Sequence, residues 1–153
     1  IEKESKGEHS SLYFVTLWIT STRDSLKKIM KKKLTCHCGS IELEVSLPND
    51  LQKLTRCNCS ICKKKGAIMT SIDLKDLKVI KGEDKIKTYQ FHTNVAKHYF
   101  CSNCGIYTHH QRRADPNTYG INVGCIDEID PQELFKLEVA VNDGHNHILD
   151  RKE

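Results

Sequence analysis

Seven of the eight cysteines fall in three tight clusters: Cys36-His37-Cys38, Cys57-Asn58-Cys59-Ser60-Ile61-Cys62 and Cys101-Ser102-Asn103-Cys104. Cysteines two or three residues apart rarely bridge one another, and a reducing compartment opposes disulfides. Clusters of this spacing point to metal–thiolate chemistry. On an extended strand, residues i and i+2 project from one face, so Cys36 and Cys38 are expected to grip one ion together. Cys101-x-x-Cys104-Gly105 reads as a knuckle, a tight turn that aims two sulfurs inward, with the glycine supplying a positive φ. Two such pairs make one closed tetrahedral zinc site with four thiolate ligands, at Zn–S distances of about 2.3 Å. A site joining Cys36 and Cys38 to Cys101 and Cys104 would tie the first strand to one far along the chain, so that metal binding stabilises the fold directly.

Cys57, Cys59 and Cys62 supply three sulfurs within a six-residue run. Three protein ligands leave the fourth zinc position open, as in catalytic sites. Three thiolates also weaken the ion as a Lewis acid, which favours presenting a sulfur nucleophile over activating water. The alternative is that all seven cysteines are structural, with His37, His98 or Cys125 completing the second site. Cys125 lies in a strand-like run (Ile121 to Ile126), where a buried core thiol is the ordinary role. A redox role for the clusters lacks a surrounding βαβ pattern. His109 and His110 are neighbours on an expected strand and face opposite ways, so at most one can join a site. His145 and His147 are a weak ligand signal. Arg112 and Arg113 follow a strand, and Arg113 is the candidate to hold a carboxylate of an anionic ligand, with a solvated arginine as the alternative.

These residues must be positioned by short strands. Ile41, Leu43, Val45 and Leu47 alternate with polar residues up to Pro48-Asn49-Asp50, the mark of a half-buried strand. Further strand-like runs cover 67–72, 77–80, 85–91, 96–100, 106–111 and 119–126. Pro131 is placed to open a single helical turn, and no long amphipathic helix is present. The expected architecture is mainly β, with small antiparallel sheets held at their ends by zinc-binding knuckles. Residues 1–32 read as an N-terminal extension outside the fold and 33–153 as the zinc domain. A short helix could form over 23–33 behind a Ser21 or Thr22 cap.

Composition narrows the partners. The chain of 153 residues has a net charge of +4. Residues 1–33 hold eight basic and four acidic groups, leaving 16 of each in the rest, so the body lacks the basic face that nucleic-acid binding needs. The longest apolar run, Leu12 to Ile19, is far short of the roughly 20 residues that span a bilayer. No positive n-region precedes it and no small-residue cleavage site follows, so a cytoplasmic protein is expected.

Three blocks together resemble the glutathione-dependent formaldehyde-activating enzyme family, which shares a domain with CENP-V type proteins. They are Thr35-Cys36-His37-Cys38-Gly39-Ser40-Ile41, Cys57-Asn58-Cys59-Ser60-Ile61-Cys62, and His98-Tyr99-Phe100-Cys101-Ser102-Asn103-Cys104-Gly105-Ile106. The likeness continues through Arg113-Ala114-Asp115-Pro116 and Tyr119 to Cys125 as far as the Asn142–His147 segment. Ala114-Asp115 stands where the family often has Ser-Asn. The resemblance implies a Mss4-like β fold and two zinc ions per chain. One is structural, on Cys36, Cys38, Cys101 and Cys104; the other is catalytic, on Cys57, Cys59 and Cys62. It also implies a carbon–sulfur lyase-type activity that joins glutathione, or a similar thiol, to formaldehyde.

Overall fold

The computed structural model describes residues 28–48, 51 and 53–147. In chain order the strands are β1 (Ile29–Thr35), β2 (Glu42–Pro48), β3 (Thr55–Cys57), β4 (Met69–Asp73), β5 (Leu77–Lys81), β6 (Ile86–Tyr89), β7 (Lys97–Cys101), β8 (Tyr107–Gln111), β9 (Thr118–Asn122) and β10 (Ala140–Asn142). Among the described residues, two short helices, α1 (Cys62–Lys65) and α2 (Pro131–Lys136), complete the regular structure apart from single 3-10 turns. The strands make a three-stranded sheet, β1-β2-β5, and a seven-stranded sheet, β10-β3-β4-β9-β8-β7-β6. The fold is mainly β, as the alternation implied. Pairing is antiparallel except where β10 runs parallel to β3.

The period-two pattern of β2 decides where the core lies. Leu43, Val45 and Leu47 are fully or almost fully buried, as is Ile41 just before the strand, while the intervening residues face outward. They share one cluster with Leu34 of β1, Ile72 of β4, Ile121 of β9 and Ile126, so the two sheets are packed through a common aliphatic layer. Burying each such side chain contributes about 1.5–3 kcal/mol. A second, smaller cluster of Leu54, Ile68 and Val123 is covered by Leu134 of α2 and by Leu137. Asp130 caps α2 by accepting a hydrogen bond from the Gln132 N–H at 2.7 Å, and Pro131 opens it, as expected from sequence.

The boundary drawn between residues 32 and 33 falls inside β1. Residues 29–33 form no helix; they pair with β2 in continuous antiparallel register, Ile29 opposite Pro48 through Thr35 opposite Glu42. The reason lies across the strand, where Lys31 meets Glu44 at 2.8 Å and Lys33 meets Glu42 at 3.3 Å. A run of lysines thus serves as an edge strand whose charges are matched by its neighbour. The rest of the helix considered over 23–33, up to residue 27, lies outside the described residues, as does the apolar run at 12–19. The strand-like run 119–126 ends as a strand at Asn122, whose side chain accepts from the Gly124 N–H at 3.1 Å and starts a 3-10 turn over Val123–Cys125. Among the described residues, no helix is long and apolar enough to cross a membrane.

Candidate metal centres and the cleft between them

All eight cysteines are free thiols. Cys36, Cys38, Cys101 and Cys104 converge, with all four sulfurs within 4.8 Å of one another. The Cys36–Cys38 and Cys38–Cys101 sulfur separations are 3.6 and 3.8 Å. A tetrahedron with metal–sulfur distances near 2.3 Å has edges of about 3.8 Å, so the four donors fit a tetrahedral thiolate-bound ion. Cys36 and Cys38 do not reach this arrangement as strand residues. Cys36 follows the end of β1, and the Gly39 N–H bonds back to the Cys36 carbonyl at 2.9 Å with Gly39 at φ +68°. The second pair does the same: the Gly105 N–H meets the Cys101 carbonyl at 2.8 Å, and Gly105 has φ +74°. Both halves are therefore knuckles, one from each sheet. A hydrogen bond from Asn103 Nδ2 to Ser40 Oγ at 2.9 Å links them. The hydrogen bond to the Ser40 side chain pulls the Cys38 thiol down to about 6, whereas burial pushes Cys101 up to about 11. Cys125 adjoins this quartet as a core thiol, pushed up to about 12 by burial and then by the sulfurs of Cys36 and Cys104.

The second group is Cys57, Cys59 and Cys62, whose three sulfurs also lie within 4.8 Å of one another. Cys57 ends β3, Cys59 sits in the following turn, and Cys62 begins α1, which stops at Gly66 with φ +63°. Burial raises the Cys57 thiol. Burial raises Cys62 as well, reinforced by charge on Cys59 and Cys57. At Cys59 burial is outweighed by hydrogen bonds from the Cys62 backbone and neighbouring groups, and the net direction is down. Crowded, half-buried thiols of this kind ionise together only when a cation offsets their mutual repulsion. The donor set fits a metal ion.

A loop from the far end of the chain seals one flank of this trio. β10 pairs with β3 so that Asn142 stands beside Cys57. The Asp143 carboxylate accepts from Asn58 Nδ2 at 3.0 Å, while Asn58 Oδ1 accepts from the His145 N–H at 2.8 Å. Hydrogen bonds from the Asn146 and Asn58 side chains hold the Asp143 carboxyl down at about 2. Gly144 lies so close that an added Cβ would collide with Cys57 Sγ and come within 2.9 Å of Cys59 Cβ. Only a glycine lets the loop reach the sulfurs.

The trio opens on a cleft of about 1190 Å3. Its wall also includes His98, His110, Arg112, Arg113, Phe91, His145 and His147. The two histidines of the 109–110 pair separate as expected. His109 is buried between Tyr99 (centroids 4.4 Å apart) and the edge of Tyr119, and His110 faces the cleft. None of the three suggested fourth ligands joins the trio. His37 is exposed in the first knuckle, Cys125 adjoins the quartet, and His98 Nδ1 lies 3.1 Å from Lys65 Nζ. The group of mutually close donor atoms contains the three sulfurs alone among the described residues.

Several residues here escaped the sequence reading. Lys65 stands three positions after Cys62, one helical turn on, with Nζ 3.4 Å from the Tyr107 ring centroid as well as near His98. Helical spacing was the available signal, but a four-residue helix is too short to announce itself. Tyr107 reaches His110 because the β7–β8 ladder slips at Tyr99/Phe100, and such an irregularity re-aims side chains. The Asn58–Asp143 clasp depends on a parallel pairing that no local pattern encodes.

The sequence model of the family described as "Glutathione-dependent formaldehyde-activating enzyme" matches residues 31–141. A crystal structure of a Rhodobacter sphaeroides protein is similar at 47% sequence identity and TM-score 0.67, over 72% of this chain and 99% of that one. The family match takes in both sulfur groups, His98, His110 and Arg113. With most of its length so matched, the chain belongs to the glutathione-dependent formaldehyde-activating enzyme family.

Proposed function

We propose that the protein is a two-zinc enzyme joining glutathione, or a similar small thiol, to formaldehyde to give S-hydroxymethylglutathione, a carbon–sulfur lyase-type reaction. One zinc, on Cys36, Cys38, Cys101 and Cys104, is structural. The other, on Cys57, Cys59 and Cys62, is catalytic. The observation that carries the reading is the contrast in donors: four sulfurs grouped in the quartet, and in the trio three sulfurs that open on the cleft, with no fourth donor atom grouped with them among the described residues. A bound zinc would lower the pKa of a thiol brought to that open side.

The chain's own residues do the rest. Arg113 in the cleft wall is assigned to a carboxylate of the thiol substrate, which a planar guanidinium grips in bidentate fashion. The cleft exceeds the roughly 300–1,000 Å3 of most small-ligand sites, enough for a tripeptide. The loop at 142–147, itself part of the cleft wall, and the trio's own turn hold the sulfurs together. The test is to follow adduct formation by zinc-loaded protein with glutathione and formaldehyde, against the spontaneous addition. A rate above the blank that vanishes in Cys59→Ser is expected, and equality with the blank would reject the activity. Arg113→Lys or Arg113→Met should raise the KM for glutathione with a smaller change in kcat.

A further inference from the structure

His98 and His110 are direct cross-strand partners on β7 and β8, with ring centroids 5.5 Å apart and planes at 25°. Both form part of the cleft wall, and in both Nδ1 is already engaged from behind by a residue that is not part of that wall. Lys65 Nζ lies 3.1 Å from His98 Nδ1, and the Tyr107 hydroxyl lies 2.5 Å from His110 Nδ1. An ammonium has donors and no acceptor. Burial lowers Lys65 only to about 8, so at neutral pH it is mostly charged and donates to His98 Nδ1. A phenol is a stronger donor than a neutral imidazole N–H, so Tyr107 donates to His110 Nδ1, with the Lys65 ammonium over its ring face polarising it further. Burial holds both imidazoles neutral, His98 down at about 4 and His110 at about 3. In a neutral ring, the nitrogen opposite an accepting Nδ1 carries the proton.

We infer that His98 and His110 form a paired oxygen-binding site in the cleft, two Nε2–H donors that hold the carbonyl oxygen of a small aldehyde. This deepens the proposed reaction and rests on it for the identity of the aldehyde. During addition the thiolate sulfur forms a bond to the carbonyl carbon, the C=O π bond breaks, and its electron pair moves to oxygen. The two N–H groups stabilise that oxyanion where it forms, in the way that preorganised donors speed carbonyl additions. The oxyanion takes a proton from water, equivalent to the one the thiol released, and both histidines keep theirs. Thiol plus aldehyde gives the hydroxymethyl thioether without oxidation or reduction. The same tautomer explains why His98 does not complete the trio: its Nε2 carries a proton and its Nδ1 a hydrogen bond. Gly120, opposite His110, is part of the arrangement, since a Cβ there would collide with the His110 ring.

The test begins without turnover. In zinc-loaded full-length protein labelled with 15N-histidine, both rings should show a protonated Nε2 and a bare Nδ1 at pH 7. Formamide, a carbonyl that does not alkylate lysine, should shift both Nε2–H signals. Lys65→Met should put part of the His98 proton on Nδ1. In the catalytic arm, His98→Leu and His110→Leu should each lower kcat at least tenfold with zinc content unchanged, while His98→Gln, which keeps a donor, should recover most of it. Nδ1–H tautomers, Nε2–H signals indifferent to formamide, or Leu and Gln variants of equal activity would each overturn the inference. If the wild type does no better than the blank, the enzymatic reading falls, while the labelled spectra still decide the hydrogen-bond assignment.

Discussion

The seven clustered cysteines are similar in sequence and unequal in position. Replacing one of the quartet removes a sulfur from the group that meets at the junction of the two sheets. Cys36→Ser or Cys104→Ser should therefore abolish cooperative folding, read by loss of a thermal transition, because a structural site contributes folding free energy outright. Cys59→Ser should lose one of two metals per chain and keep the transition. Gly144→Ala makes the complementary prediction without touching a ligand. Its methyl would collide with Cys57 Sγ, so a cobalt titration should show one site weakened by at least tenfold and the other unaltered. The cysteine clusters that the structure gathers into a quartet and a trio were legible in the sequence because thiol chemistry is written in local spacing. Gly144, Lys65 and Tyr107 were not, because each matters only through what a distant segment brings against it.

At the scale of elements, β2 could be read directly, since its alternation reports one buried face. β1 could not: Met30-Lys31-Lys32-Lys33 reads as a solvated charge run until Glu42 and Glu44 are set beside it. The three-residue strands β3 and β10 carry no period at all, and their parallel pairing joins residues 85 positions apart, Thr55 with Ala140. Deleting residues 1–33 should strip β1 from β2 and leave Leu34 without its strand, lowering the thermal midpoint by ten degrees or more in calorimetry. An unchanged midpoint would return the domain boundary to residue 33. The strands β7 and β8 bear on acid stability. His98, His109 and His110 are all depressed by burial, to between about 3 and 4. In the unfolded chain they take up protons near pH 6.5 and in the folded one only much lower. The unfolded state therefore binds more protons in that window, and stability falls as pH drops from about 6.5 towards 4. His109→Gln, away from the cleft, should flatten that dependence in denaturant titrations carried out at saturating zinc.

For the whole molecule, the quartet spans the junction of the two sheets while the trio lies along one of them. Chelation should consequently proceed in two stages. An early loss from the trio should leave the far-ultraviolet spectrum intact, and a later loss from the quartet should coincide with unfolding. Simultaneous loss, with one transition, would contradict separate roles. A metal held by the quartet would add a clamp to the aliphatic layer, and small β domains have little core to spare.

The two sulfur groups also differ in how much chain must be made before each can exist. Cys57, Cys59 and Cys62 leave the ribosome within moments of one another and can seize an ion while the polypeptide is still a coil. Cys38 must wait for Cys101, 63 positions later. An ion that the disordered chain already binds favours the native state less than one that it cannot. On the proposed assignment, the local grip is quick to load and contributes little to folding, and the remote one is slow to close and holds the protein folded.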